Sequence, residues 1–263
     1  MSDIQETFIS HLIELRDRLI RAMLAVVVVF LCLMPWSGVV YDFLAQPMMA
    51  NLPAGTKMIA TGVVTPFMVP LKVTLMAAFV VALPVILYQA WGFVAPGLYS
   101  HEKKFALPLV VGSTALFIAG IAFCYYFVFG TVFKFIAQFA PSSITPAPDI
   151  EQYLNFVMTM FLAFGVTFEV PIVVVLLVRF NIVGIEKLRE ARPYAIVGAF
   201  VIAAVVTPPD VTSQLMLAIP MTLLFELGLL LARLVAKPQA EGESDYKPLS
   251  DAEMERELDK ADK

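Results

Sequence analysis

Six apolar runs dominate this sequence and limit what it can fold into. They lie at about 19–36, 68–91, 106–131, 153–178, 194–206 and 214–232. A helix needs roughly 17–25 mostly apolar residues to cross a bilayer, and four of the runs meet that length cleanly. Hydrophobic residues make up 60% of the chain, against about 45–50% for a soluble globular domain. The sequence therefore predicts an all-α, polytopic membrane protein of six transmembrane helices.

The fifth run, 194–206, has only 13 residues, about 20 Å of helix against a hydrocarbon core of about 30 Å. Glu226 interrupts the sixth and leaves 215–225 as its clean apolar part. The turn Thr207-Pro208-Pro209-Asp210 joins the two. Both helices are expected to be short, a hairpin that thins the bilayer or is sheltered by longer neighbours. Eight prolines lie in or beside the runs, among them Pro70, Pro84, Pro108, Pro171 and Pro220. Each interior one removes a helix hydrogen bond and can kink its helix. Kinked helices with a short hairpin predict a concave body.

Charge sets the orientation. Residues 1–233 carry 13 basic and 13 acidic groups, whereas 234–263 carry 5 and 9. The net charge of −4 thus belongs to the tail. Residues 1–233 are expected to form one membrane domain and 234–263 a disordered acidic tail. Arg16, Arg18, Arg21, Lys103, Lys104, Arg179, Lys187, Arg189, Arg192, Arg233 and Lys237 fall on one side of the runs, and Lys57, Lys134 and Lys72 at or near the other. The richly basic side is expected to be cytoplasmic, with both termini inside. The first run begins only after Arg21 and lacks a convincing small-residue cleavage site after it, so it is expected to stay as an anchor. Outside, 39–44 suits a short interfacial helix, and the outer loops could cap the far face.

Glu169 stands near the middle of the fourth run. A charge at that depth costs roughly 2.5–3.5 kcal/mol on insertion scales. It is therefore expected to face protein, water or a partner, beside the turn that Pro171 loosens. On the inner face, Glu14 and Arg18 are four residues apart on an amphipathic segment, as are Asp17 and Arg21, a spacing that suits simple surface ion pairs. Glu102 follows Ser100 in what reads as the first turn of the third helix, where the helix dipole favours an anion. Either carboxylate could instead receive a basic ligand.

There is no GxSxG, HExxH, P-loop or GxGxxG motif, so no enzyme chemistry is signalled. Cys32 and Cys124 lie in apolar runs and read as packing residues. His11 and His101 have no ligand-like spacing, so no metal or cofactor is expected. Nothing points to nucleic-acid binding.

Several motifs together carry a family resemblance. They are His11-Leu-Ile-Glu14-Leu-Arg16-Asp-Arg18-Leu, Phe93-Val-Ala-Pro96-Gly-Leu-Tyr99-Ser-His-Glu102, Phe164-Gly165-Val-Thr-Phe168-Glu169-Val-Pro171, and Arg192-Pro193-Tyr194 followed by Thr207-Pro208-Pro209-Asp210. Over roughly 8–233 the chain resembles the TatC family, the multi-spanning subunit of the twin-arginine protein translocase, in its proteobacterial form. The resemblance implies a receptor for twin-arginine signal peptides that scaffolds an export complex in the bacterial inner membrane, driven by proton motive force. Glu14 and Glu102 would receive the paired arginines, with Arg16 and Phe93 shaping that site. Glu169, Thr207 and Gln214 would form membrane-embedded contacts with TatA- and TatB-type single-span subunits, and the chain would self-associate in the complex. The alternative from the residues alone is an ion- or proton-coupled small-solute transporter with Glu169 as its relay. Such a protein should show paired half-helices or further deep polar groups, and no internal repeat is evident.

Overall fold

The computed structural model describes residues 2–51, 57–94, 103–139, 147–207 and 211–235. Helices account for nearly all of them. They are α1 (Ser2–Leu33), α2 (Ser37–Met49), α3 (Thr65–Val94), α4 (Lys103–Phe123), α5 (Phe129–Phe139), α6 (Ile150–Arg179), α7 (Ile185–Glu190), α8 (Arg192–Val206) and α9 (Val211–Val235). Among the described residues five stretches are long and apolar enough to cross a membrane, and α8 is a shorter apolar helix. This gives the six apolar elements expected.

The boundaries follow local chemistry. The amphipathic segment around Glu14 and the first apolar run are one continuous helix, α1. A 3-10 turn, Met34–Trp36, ends it at Pro35, a residue with no N–H to extend the helical ladder. The interfacial helix expected at 39–44 is the longer α2. Its Phe43 and Leu44 carbonyls accept the hydroxyls of Tyr125 (2.8 Å) and Tyr153 (2.6 Å). The third run is not one regular helix. A π-turn, Cys124–Val128, separates α4 from α5; its periodicity leaves no trace in a wholly apolar run. At the other end of α6, Asn181 takes a left-handed φ of 53°, a conformation that asparagine tolerates well.

Helix α8 has 15 residues, about 22 Å of rise, so the fifth span is short as expected. The sixth is not. Helix α9 runs for 25 residues, about 37 Å. Glu226 does not end it, because its carboxylate accepts Arg192 Nη2 from the base of α8 at 2.6 Å. The paired charge is tolerated where a bare one would have broken the apolar run.

Packing proceeds neighbour by neighbour. Helix α1 lies on α3, α3 on α4, α4 on α6, α6 on α9, and α9 on α8. Helix α3 also meets α6, and α2 lies on α3. Small residues bring neighbours close, as in membrane bundles generally. A β-carbon on Gly120 of α4 would fall 2.6 Å from the Phe164 carbonyl oxygen of α6, and one on Gly165 would enter the Phe117 ring. Around these contacts lies the main core, including Val73, Val128, Phe129, Leu154, Met160 and Phe164. A smaller cluster of Val174, Val178, Leu188, Leu229 and Ala232 anchors α7. Interior prolines sit in α2, α3, α4, α6 and α9.

The opposite end is clasped. Ile59 pairs with the segment before α6, with Ile59 N donating to Pro148 O (3.0 Å) and Ile150 N to Ile59 O (2.9 Å). Asp149 caps α6 by accepting the amides of Glu151 and Gln152. It also accepts Thr61 Oγ1 (2.8 Å) and Thr61 N (3.1 Å). These bonds, the Thr61 hydroxyl foremost, hold the Asp149 carboxyl below its ordinary range. Lys72 pairs with Glu151 at 2.7 Å. The segments before α3 and before α6 are thus joined where they are described.

Candidate functional site

The first candidate region lies where α1 meets the end of α3. The His11 and Phe93 rings stack with centroids 4.4 Å apart and planes 20° from parallel. One helical turn further along α1 lies Glu14, whose Oε1 accepts both Nε and Nη2 of Arg18, at 2.9 and 2.6 Å. The Arg18 side chain is 21% exposed and that of Glu14 42%. The same guanidinium lies against the α3 backbone, since a β-carbon on Gly92 would overlap Arg18 Nη1. These contacts set the Glu14 stretch of α1 against the end of α3 that carries Phe93.

Two details differ from the sequence reading. Asp17 does not turn to Arg21. It accepts Arg16 Nε and Nη2 at 2.9 and 2.7 Å, because the neighbouring side chain reaches it on an exposed surface. Arg16 is consequently occupied away from the Glu14 carboxylate. Phe93 stands beside α1, stacked on His11. Glu102 lies outside the described residues, as does the 95–102 loop that carries it.

The second region surrounds Glu169. Its residue is 8% exposed, and it faces Ser113 of α4. Ser113 Oγ in turn accepts the Trp91 indole N–H from α3 at 2.9 Å. Neither Glu169 carboxyl oxygen makes a hydrogen bond of good geometry, and Gln89 Oε1 is also buried without a partner. Leaving such groups unmade costs free energy. A cavity of about 250 Å³, lined only by apolar side chains such as Phe79, Phe117, Phe161 and Leu162, opens between the same three helices. It offers Glu169 no polar partner. Sequence alone pointed to Glu169 but not to Ser113 or Trp91, whose hydrogen bond spans 22 positions.

The third region is the α8–α9 pair. Thr207 is buried, and its hydroxyl donates to Ala203 O at 2.8 Å. Its polarity is spent within its own helix end. Gln214 Nε2 donates to Phe200 O at 3.3 Å, across the two helices. Pro208, Pro209 and Asp210 fall outside the described residues. Among the described residues no cluster of three or more His, Cys, Asp or Glu side chains is placed to hold a metal.

The class of protein is therefore a polytopic helical membrane protein with carboxylates at two depths. Residues 10–220 match the family described as Sec-independent protein translocase protein (TatC). The chain is 52% identical over 235 residues to the TatC of Haemophilus influenzae, covering 89% of this chain and 92% of that one. It is 49% identical over 228 residues to the TatC of Escherichia coli K12, covering 87% and 88%. A crystal structure of the twin arginine translocase receptor TatC superposes with a TM-score of 0.75 at 37% identity, over 86% of this chain and 99% of that one. The chain belongs to the TatC family of Sec-independent protein translocase proteins. It is a translocase component and not an enzyme, and the family gives no support to a small-solute transporter.

Proposed function

We propose that this protein is the receptor core of a twin-arginine export system, multi-pass in a bacterial inner membrane with both termini cytoplasmic. It binds the signal peptides of its cargo and scaffolds a complex with TatA- and TatB-type single-span subunits and with further copies of itself. The observation that carries the reading is that α1 meets the end of α3 on both sides of Glu14, through His11 stacked on Phe93 and Arg18 laid on Gly92, shortly before Glu102 in the sequence. A guanidinium forks onto a carboxylate with two parallel hydrogen bonds. Two carboxylates on separate elements, Glu14 and Glu102, recognise consecutive arginines better than one arginine alone. The basic surroundings support a cytoplasmic placement of this face by the positive-inside rule.

Glu169, Thr207 and Gln214 serve partner helices instead. An intramembrane carboxyl without an internal hydrogen bond is a natural acceptor for a polar group on a neighbouring span. Crosslinking from α1 and from the 95–102 loop to a peptide with two consecutive arginines tests the receptor reading. Charge reversal at Glu14 or Glu102 should abolish it. Crosslinking of Glu102→Lys at the unaltered yield would remove Glu102 from the site.

A further inference from the structure

The receptor reading leaves Arg18 without a role, and its geometry is specific. Its Nε and Nη2 converge on one oxygen of Glu14, while Nη1 rests over Gly92 of α3. Resting on the reading of Glu14 as a ligand carboxylate, we infer that Arg18 is a tethered guanidinium that occupies Glu14 and must yield it when an arginine-bearing peptide binds.

The chemistry is that of the ligand itself. An incoming arginine offers Glu14 the same fork of N–H donors that Arg18 already supplies. Exchange therefore replaces one guanidinium–carboxylate bond with another. Both side chains of the internal pair are partly exposed, so neither state strands a buried charge, which would be far more costly. The Gly92 seat keeps Arg18 on the site: a residue without a side chain lets the guanidinium lie against the end of α3. Arg16 is not equivalent, being engaged by Asp17. The consequence is a receptor whose affinity is held down by its own arginine, which makes capture reversible.

The test is peptide affinity for the full chain in nanodiscs, read by fluorescence anisotropy with a labelled peptide bearing two consecutive arginines. Arg18→Lys keeps the charge but cannot fork, and Gly92→Ala pushes an intact Arg18 from its seat. Both should tighten binding roughly two- to threefold, the scale of one exposed i,i+4 ion pair. Arg21→Gln, which removes a charge without touching Glu14, should leave affinity nearly unchanged. A merely structural role for Arg18 predicts weaker binding in both variants. Unchanged or weaker binding in Arg18→Lys and Gly92→Ala would overturn the inference. Glu14→Gln separates it from the reading beneath: if that variant still binds normally, Glu14 is not the ligand carboxylate and both fall. If Glu14→Gln loses binding while the other two show no gain, the inference alone falls.

Discussion

Glu14 and Glu169 are the same side chain in opposite circumstances. Glu14 is half-exposed on α1 and paired with Arg18. Glu169 is buried between spanning helices, facing the Ser113 hydroxyl but making no hydrogen bond of good geometry. Water screens the first, so its pair can exchange at little cost. The second is held by packing, because α4 and α6 approach through Gly120 and Gly165. A surface carboxylate can read a ligand and release it. A buried one marks where helices meet and contributes to binding only when a partner supplies the missing donor.

The contrast can be broken in order of expected effect. Glu14→Lys should weaken diarginine-peptide binding at least tenfold, the scale of a lost charged hydrogen bond plus a new repulsion. Binding unchanged in that variant would remove Glu14 from the site. Gly120→Leu should disrupt the α4–α6 contact by about 1–3 kcal/mol, visible as a lower detergent-melting temperature. If stability is unchanged there, packing does not hold the Glu169 region. Glu169→Ala should leave peptide binding intact but reduce co-purification of single-span partners, with Glu169→Gln keeping much of it through its amide. Equal recovery of partners in the wild type and Glu169→Ala would make Glu169 purely structural. Glu226→Gln should cost about 1 kcal/mol or less, since its pair with Arg192 is half-exposed and such pairs are weak.

The smallest effect concerns the outer clasp. Asp149 has a depressed pKa in the folded protein. Its stabilising contribution is therefore present above the ordinary carboxylate pKa and is lost only as pH falls through the folded value. The Ile59–Asp149 clasp should persist at neutral and mildly acidic pH. Asp149→Asn should lower the melting temperature slightly at neutral pH, the difference from the wild type vanishing as pH falls through the folded value. A difference confined to the acid end would contradict that assignment.

Much of this protein was legible in its residues. Apolar run length predicted the spans, and 13 apolar residues predicted the short fifth helix, because a bilayer imposes a length that composition alone reports. Glu169 announced itself because a charge in an apolar run is costly wherever the helix turns. The family motifs singled out Glu14, Phe93 and Glu102 as candidates for a ligand site. What the chain could not disclose is contact between distant elements. Glu226 read as an interruption until Arg192, 34 residues away, proved to neutralise it. Asp17 chose Arg16 over Arg21, a matter of rotamer and exposure that spacing does not resolve. Ser113 facing Glu169, Arg18 seated on Gly92, and Asp149 holding the outer loop all depend on which helix faces lie together. Hydrophobicity is a sum over local residues and survives in one dimension; pairing depends on distances between elements, and only the packed helices set those distances.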